Sequence, residues 1–295
     1  MKIGVDGGGT KTELILIDDS DEVVARHTAP GCNPSVIGPE NARDILSAAL
    51  ERLLSDSKIE HSKSKISATL LCMAGNPAFW QELAASLTGF GKVETTTDAL
   101  PVLELATHGE PGLVLHAGTG SFVALRAQNG AIHYVGGFGW RIGDSGSAQD
   151  IGRRALARAL AELQGWAPAS GLGTALQKTF ATDKPSAITA ALHRDAEPNQ
   201  RIGLFAAFTS QLASAGDTAA RDIVLTSAAE LLACAEASAR SILGINNLTT
   251  TRAGLSGPIL TQSFVTNALQ ARTTLPLKLL TEPPIEGVRR LLRTR

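Results

Sequence analysis

Two short apolar runs on either side of a glycine cluster open the chain. Residues 3–5 and 13–17 are apolar and rich in isoleucine, and each run is too short to make a helix. The glycines between them permit the positive φ angles of a tight turn. The pattern therefore predicts an antiparallel hairpin of strand, turn and strand.

The residues of this turn predict a phosphate site. Gly8, Gly9, Thr10 and Lys11 would offer unpaired N–H groups, a hydroxyl and an ammonium to a phosphate. Asp6 is a candidate Mg²⁺ ligand, directly or through a water, because Mg²⁺ takes few carboxylates and keeps water. A P-loop and a dinucleotide fingerprint are both excluded, since the lysine stands one place late and no helix follows. An ordinary hairpin, with glycines for geometry alone, stays open.

Helical and strand spacings then alternate, as is typical of an α/β domain. The pattern predicts a strand at 23–26, a loop at 29–35 because of its two prolines, and a crossover helix at 42–54. After a charged and serine-rich connection at 55–65, the apolar run 66–73 predicts a strand that is buried on both faces.

The next predicted strand is followed directly by the carboxylate of Asp98. Alternating residues at 93–97 predict a short strand after a helix at 78–87, and a further helix with Pro101 in its first turn begins directly after Asp98. Open α/β sheets bind ligands at the carboxyl ends of their strands. Asp98 is therefore a candidate general base for a substrate hydroxyl that attacks phosphorus. A helix-capping role for Asp98 stays open.

The chain then repeats its opening pattern. Residues 112–116 and 122–126 predict two strands, and the turn between them contains Gly118, Thr119 and Gly120. This copy predicts two similar α/β halves, each with one phosphate-binding hairpin, and a nucleotide in the cleft between them.

Residues 136–147 are too rich in glycine for a regular element, and they lead into a predicted helix over Ala148–Leu163. Asp144 and Ser147 can cap that helix, or reach Mg²⁺ or a sugar hydroxyl.

The remainder is predicted to be mostly helical. Helices are expected at 201–214 and 219–243, followed by a strand at 248–252 and a glycine turn at 253–258. That turn either packs flat on an adenine ring or simply joins the strand to a helix.

Composition favours a globular, cytoplasmic protein. The 295 residues suggest two domains, and 43% apolar with 19% charged residues excludes a disordered chain. A net charge of −1 gives no reason to expect nucleic acid or membrane as a partner. No apolar run is long enough for a membrane span, and no signal peptide is visible. Cys32, Cys72 and Cys234 fit neither a disulfide framework nor a metal spacing, so buried thiols are expected.

Four motifs together resemble the N-acetylglucosamine kinase branch of the BadF/BadG/BcrA/BcrD-type ATPase family. This family belongs to the superfamily of sugar kinases, actin and heat-shock chaperones. The motifs lie at 6–12, 97–99, 118–121 and 136–147. Their order and spacing match along essentially the whole chain, which makes the resemblance more specific than any one motif.

The resemblance implies two ribonuclease H-like (actin-like ATPase) domains with an interdomain cleft, at 1–110 plus 283–295 and at 111–282. It implies ATP and Mg²⁺ as cosubstrates, a small-molecule amino sugar phosphorylated on its 6-hydroxyl group, and a terminal helix at 284–295 packed on the first domain. A homodimer stays open. The roles that the resemblance implies are catalysis by Asp98, phosphate contacts from Gly8 to Lys11 and from Thr119, and adenosine contacts from Gly254 and Gly257. The implied substrate-binding residues are Asn33, Gly75, Asp98, Ser121, Phe138, Gly139, Asp144 and Ser145.

The chain departs from the family pattern at three places. Phe138 replaces a usual tryptophan, Ser145 replaces a usual glutamate, and two residues separate Gly254 from Gly257. These changes affect the expected choice of sugar and the nucleotide affinity. The missing glutamate at Ser145 favours N-acetylglucosamine over glucosamine, because a desolvated ammonium needs a carboxylate.

Three other functions are kept as alternatives. The first is a glucosamine kinase of the same fold. The second is an ATPase that activates a dehydratase or reductase through an iron–sulfur cluster shared by two subunits, for which Cys32 and Cys72 are a poor ligand pair. The third is a regulatory sugar sensor, disfavoured because no DNA-binding domain is visible.

Overall fold

Two five-stranded sheets organise the computed structural model, which describes residues 1–57, 65–195, 198–244 and 247–293. The chain divides into two compact units. Unit 1 contains Met1–Gly109 and Leu280–Arg295, and unit 2 contains Glu110–Leu279. The domain limits expected from the sequence stay a prediction.

In unit 1 the sheet has the strand order β3-β2-β1-β4-β5. β1 and β2 form the predicted hairpin and pair antiparallel, as do β2 and β3, whereas β4 and β5 extend the sheet in parallel. The strands are β1 (Lys2–Gly7), β2 (Lys11–Ile17), β3 (Val23–Pro30), β4 (Ala68–Met73) and β5 (Lys92–Thr97).

Helices cover both faces of this sheet. They are α1 (Pro34–Ile37), α2 (Pro39–Asp56), α3 (Pro77–Ser86), α4 (Ala99–Thr107) and α11 (Pro284–Arg293). On one face, buried Leu46 and Leu50 of α2 pack with Ile3 and Val5 of β1. α11 packs against the other face.

The C-terminal helix packs on unit 1, as predicted. Ile285, Val288 and Leu292 of α11 are almost fully buried and contact Ile15 and Leu70. Burying three aliphatic side chains stabilises such a contact by several kcal/mol, at about 1.5–3 kcal/mol each. Residues 294 and 295 lie outside the described part of the chain.

The sheet of unit 2 repeats the topology of unit 1. Its order, β8-β7-β6-β9-β10, again places an antiparallel three-stranded meander beside two parallel strands. The predicted internal repeat is therefore confirmed at the level of strand pairing. The strands are β6 (Gly112–Ala117), β7 (Ser121–Arg126), β8 (Ile132–Gly136), β9 (Arg252–Ser256) and β10 (Leu277–Leu279).

The helices of unit 2 form the larger helical layer. They are α5 (Ala148–Leu163), α6 (Gly171–Phe180), α7 (Pro185–Arg194), α8 (Pro198–Ser214), α9 (Thr218–Leu243) and α10 (Ser263–Gln270). α5 has the predicted bounds. None of the described helices combines the length and the apolar character needed to cross a membrane.

The loop predicted at 29–35 is wrong at both ends. β3 continues to Pro30, where the edge position of the strand tolerates a residue without an N–H group. Pro34 begins α1, because a missing N–H group costs nothing in the first turn of a helix. The connection predicted at 55–65 lies outside the described residues from position 58 to position 64.

The strand predicted at 248–252 is also wrong. Leu248–Thr250 form a 3-10 turn whose start is capped by the Asn247 side chain, and the strand β9 begins only at Arg252. The glycine turn predicted at 253–258 is therefore shorter than expected. Gly254 lies buried inside β9, between β6 and β10, and only Gly257 follows the strand.

Candidate functional site

The glycine turn of unit 1 is braced by the end of β3. Gly8 N–H donates to the Lys11 carbonyl oxygen at 2.9 Å, Gly31 N–H donates to Thr10 at 3.0 Å, and Cys32 N–H donates to Gly8 at 3.2 Å. A Cβ atom on Gly31 would lie 2.3 Å from the carbonyl oxygen of Gly9. Only glycine at position 31 permits this contact, so β3 fixes the shape of the turn.

The turn presents the Gly9 N–H group and the Lys11 ammonium at the surface. Gly9 N–H makes no hydrogen bond within the described residues, whereas Gly8 N–H is used inside the turn. The Lys11 ammonium lies 2.7 Å from a carboxylate oxygen of Glu13, and 58% of the Lys11 side chain is exposed. An exposed ion pair of this kind is weak, so a phosphate can compete for the ammonium.

Two carboxylates lie beside this turn. Burial raises the pKa of Asp6 to about 7, and the negative charges of Asp98 and Glu13 add to the increase, while Lys11 opposes it. Burial also raises the pKa of Asp98 to about 6, against the lowering effect of the N–H groups of Asp98 and Ala99. Both residues keep part of their surface accessible. Perturbed carboxylates of this kind are typical of catalytic sites.

Asp98 does not act as a helix cap through its side chain. It occupies the N-cap position of α4 directly after β5, but it makes no capping hydrogen bond. The alternative role of Asp98 as a helix cap is therefore disfavoured. Its carboxylate is left for chemistry at the carboxyl end of the parallel strands, where such sheets bind ligands.

The acidic groups of unit 1 fit a magnesium ion held by one protein ligand. No group of three or more His, Cys, Asp or Glu side chains able to hold a metal occurs among the described residues. Mg²⁺ does not require such a cage, since it usually keeps several waters beside one or two carboxylates. Burial is the main cause of the raised pKa of Asp6, and the repulsion by Asp98 and Glu13 that adds to it would be relieved by a bound cation.

Asn33 and Gly75 come together near the same end of the sheet. The Asn33 side chain accepts a hydrogen bond from Ser35 N–H at 2.9 Å and caps α1. Gly75 follows β4, and a Cβ atom on it would lie 2.4 Å from Asn33 Oδ1. The Asn33 amide nitrogen remains the group that could meet a substrate, so a binding role stays a prediction.

The second glycine turn, in unit 2, is built in a similar way. Gly118 N–H donates to the Gly120 carbonyl oxygen at 2.8 Å, and the first N–H of α5, from Ala148, donates to Gly118 at 2.9 Å. On its other side, a Cβ atom on Gly257 would lie 2.3 Å from the Ala117 carbonyl oxygen. The turn after β9 therefore packs directly on the end of β6.

Asp144 lies against this turn. Its Oδ1 accepts a hydrogen bond from Gly139 N–H at 3.0 Å, which closes the glycine-rich loop. Its Oδ2 is 3.3 Å from the position that a Cβ atom would take on Gly120. Burial raises the pKa of Asp144, opposed by the N–H groups of Gly139 and Phe138. Ser147, not Asp144, caps α5.

Ser121 and Ser145 are linked to each other and to helix α9. Ser121 Oγ donates to the Ser145 carbonyl oxygen at 2.7 Å, and Ser145 Oγ donates to Glu230 at 2.8 Å. The neighbouring side chain Phe138 is 65% exposed and Trp140 is 37% exposed. Unit 2 therefore brings the glycine turn at Gly118–Gly120, Asp144 and Ser145 together in one region.

Sequence reasoning missed the ionic network behind Ser145. Arg154 of α5 binds both Glu230 oxygens and also donates to Asp150 Oδ2 at 2.7 Å. Asp150 Oδ2 in turn accepts from Ser227 Oγ at 2.7 Å. The spacing of Asp150 and Arg154, one helical turn apart, was readable in the sequence. Glu230 is far away in the sequence, and no local signal marks its contact.

A family model matches residues 3–271 and describes the BadF/BadG/BcrA/BcrD ATPase family. The chain belongs to this family.

Three relatives have amino sugars in their names. The N-acetyl-D-glucosamine kinase of Dictyostelium discoideum is 25% identical over 78% of this chain and 76% of the relative. The N-acetylmuramic acid/N-acetylglucosamine kinase of Clostridium acetobutylicum is 30% identical over 54% and 53% of the two chains. The glucosamine kinase of Vibrio cholerae is 25% identical over 78% and 77%.

The fold also has a solved counterpart. A crystal structure of a candidate N-acetylglucosamine kinase from Porphyromonas gingivalis matches with a TM-score of 0.79 over 100% of this chain and 99% of that chain. The identity is 21%, so this likeness shows the fold. The predicted two-domain α/β fold of the sugar kinase and actin type is confirmed.

Proposed function

We propose that this chain, an ATP-dependent sugar kinase, transfers the γ-phosphoryl group of ATP to the 6-hydroxyl group of N-acetylglucosamine. The observation that carries the proposal is the carboxylate of Asp98. It lies at the carboxyl end of β5, makes no capping bond, and has a pKa of about 6 beside the phosphate turn of the same unit.

In the proposed reaction, Asp98 accepts the proton of the sugar hydroxyl as its oxygen attacks the γ-phosphorus. The new oxygen–phosphorus bond forms while the bond to the bridging oxygen of ATP breaks, and ADP leaves. Such transfers require mainly positioning and charge stabilisation from the protein. The turn of unit 1, with Lys11, and the turn at Gly118 to Gly120 are proposed to hold phosphates.

Asp6 is proposed to hold Mg²⁺, directly or through a water. The bound ion supplies positive charge to the phosphates. Asp6 suits this role because its neighbours Asp98 and Glu13 already make the position strongly negative. The other proposed contacts are Asn33 and Gly75 for the sugar in unit 1, and Ser121, Phe138, Gly139, Asp144 and Ser145 in unit 2.

The surroundings of Ser145 support an N-acetyl group over a free amine. The carboxylate that accepts a hydrogen bond from Ser145 Oγ is that of Glu230, which is held by both terminal nitrogens of Arg154. The pKa of Glu230 is lowered chiefly by its hydrogen bonds from Arg154. A sugar ammonium at Ser145 would therefore contact a carboxylate whose charge is already compensated by Arg154. That contact would not offset the free-energy cost of removing the ammonium from water. Glucosamine kinase activity is the rival of this assignment, since relatives of both kinds are 25% identical to this chain.

A coupled ADP-release assay with N-acetylglucosamine, glucosamine, N-acetylmannosamine and glucose tests the substrate. We expect the highest kcat/KM with N-acetylglucosamine, and none with its 6-deoxy analogue. Phosphorus–carbon couplings in the product identify the phosphorylated oxygen. A tenfold higher kcat/KM for glucosamine, about 1.4 kcal/mol of transition-state preference, would overturn the choice of sugar. Turnover of the 6-deoxy analogue would overturn the choice of hydroxyl.

The activator alternative is disfavoured by the positions of the cysteines. Cys32 and Cys72 are both fully buried within unit 1, and Cys32 Sγ accepts a hydrogen bond from Thr12 at 3.1 Å. A cluster shared between two subunits needs thiols at a surface. Absorbance of the purified protein at about 400 nm, typical of iron–sulfur centres, would instead favour the activator function.

A further inference from the structure

His116 holds the position in unit 2 that Asp6 holds in unit 1. Each is the residue before the last in its strand, directly ahead of the glycine turn, in sheets of the same topology. Asp6 pairs across the sheet with Glu13 and Cys72. His116 pairs instead with Phe122 and Ser256. The two phosphate turns therefore differ in the side chain that precedes them, a carboxylate in unit 1 and an imidazole in unit 2.

The imidazole ring of His116 is held in a fixed orientation. It stacks on Phe122 with a centroid distance of 4.9 Å and an interplanar angle of 16°, and Phe122 stacks on Tyr134 at 5.1 Å. His116 Nδ1 lies 3.2 Å from Ser256 Oγ. Two constraints, one on the face of the ring and one on its edge, define where the second nitrogen points.

The other ring nitrogen faces the glycine turn. A Cβ atom on Gly118 would lie 3.4 Å from His116 Nε2, so this edge of the ring borders Gly118 directly. Among the residues that the structure describes, none forms a hydrogen bond with Nε2. His116 as a whole residue keeps part of its surface accessible to solvent. The nitrogen is therefore available to a ligand in the turn.

The ring is neutral at physiological pH, because burial lowers the pKa of His116 to about 4. A neutral imidazole carries one N–H group. If the Ser256 hydroxyl donates to Nδ1, the proton of the ring is on Nε2 and points toward the turn. A neutral donor suits a phosphate here, whereas an aspartate in the same place would repel one.

We propose that His116 binds a nucleotide phosphate at the Gly118–Gly120 turn through an Nε2–H hydrogen bond, in the tautomer whose Nδ1 accepts a hydrogen bond from the Ser256 hydroxyl. The proposal rests on the proposed function, in that it takes ATP to be the ligand of this turn. The proposal gives the two turns different binding roles. The turn of unit 1 has a carboxylate for a cation, and the turn of unit 2 has an uncharged donor for the phosphate itself.

The test measures binding of ATP and adenosine to the full chain by calorimetry, in His116→Phe, His116→Gln and His116→Asp. We expect His116→Phe to raise the Kd of ATP by about 10-fold or more, the usual effect of losing a hydrogen bond to a charged group. His116→Gln keeps an N–H donor and should stay within about threefold of wild type. His116→Asp should bind ATP least. The Kd of adenosine should stay unchanged in all three, because adenosine has no phosphate.

His133→Phe on β8, an edge strand of the same sheet, is the matched control, and it should leave both Kd values unchanged. Equal ATP affinity in wild type and His116→Phe would overturn the inference, as would an equal loss for adenosine. If His116→Phe does not fold, ¹⁵N spectra of the wild type decide: the Nε2 resonance should move on adding ATP and not on adding adenosine, and an unmoved resonance refutes the proposal. A wild-type chain that does not bind ATP at all would instead refute the proposed function.

Discussion

Replacing Asp98 by asparagine should lower activity and raise stability at the same time. Asparagine keeps the shape of the side chain but cannot accept a proton as a carboxylate does. Removing a positioned general base costs about 10²-fold or more in kcat, while ATP and sugar binding should persist. A fall of 10² corresponds to about 2.7 kcal/mol of activation free energy.

The gain in stability follows from the raised pKa. The pKa of Asp98 moves from 3.8 to about 6 on folding, because burial disfavours the charged form. The folded state therefore binds the proton more tightly than the unfolded state. Stability from this group is fully present below pH 3.8 and is lost as the pH rises through about 6. At pH 8 the ionised carboxylate costs about 3 kcal/mol at most, which is the shift converted at ~1.4 kcal/mol per unit.

Two measurements check this coupling. The wild-type kcat/KM for the sugar should fall about tenfold per pH unit below pH 6, because the base of the free enzyme must be ionised, and Asp98→Asn should lack this pH dependence. Thermal unfolding at pH 8 should show Asp98→Asn up to about 6 °C more stable than wild type, with no difference near pH 3.5. The exposed Asp183→Asn serves as the control for both. A variant with wild-type kcat would show that Asp98 is not the base. A variant with lost activity and lowered stability at pH 8 would show that burial of the charge is not the cause.

Three further outcomes are expected. Asp6→Asn should raise the Mg²⁺ concentration for half-maximal activity about tenfold or more while leaving sugar binding intact, and an unchanged Mg²⁺ titration would remove Asp6 from the metal site. Gly31→Ala should lower the Tm and raise the KM for ATP, since its Cβ would meet Gly9 backbone at 2.3 Å, whereas Gly9→Ala meets nothing within 4 Å and should keep the Tm. Leu292→Ala should cost about 2–5 kcal/mol of unfolding free energy, compared with little for Leu204→Ala at 66% exposure.

The glycine hairpins were predictable because their signals are local. In each, short apolar runs flank glycines, and no other element fits so few residues. The bounds of α5 were predictable for a similar reason, since Ser147 caps its start in the sequence as in the structure. Asp98 could be placed at the end of a strand from the alternation of residues 93–97 alone.

Other features depend on contacts that are distant in the sequence. Pro30 is tolerated in β3 because that strand forms the edge of its sheet, and the edge position is not visible in residues 23–30. The contact of Ser145 with Glu230 joins residues 85 positions apart. The sequence showed that Ser145 lacks a charge, and only the structure shows that a compensated carboxylate lies beside it.

The two units share one topology but not one chemistry, and the differences fall at equivalent positions. β5 is followed by Asp98, whereas its counterpart β10 is followed by Leu280, so a carboxylate comes directly after β5 and not after β10. β1 carries Asp6 before its turn, whereas β6 carries His116. A reaction with one attacking hydroxyl needs one base, and a second carboxylate close to the phosphates would repel them. Under the proposed function, both glycine turns hold phosphate, the base and the cation site lie in unit 1, and the turn of unit 2 binds phosphate with no carboxylate at the position equivalent to Asp6.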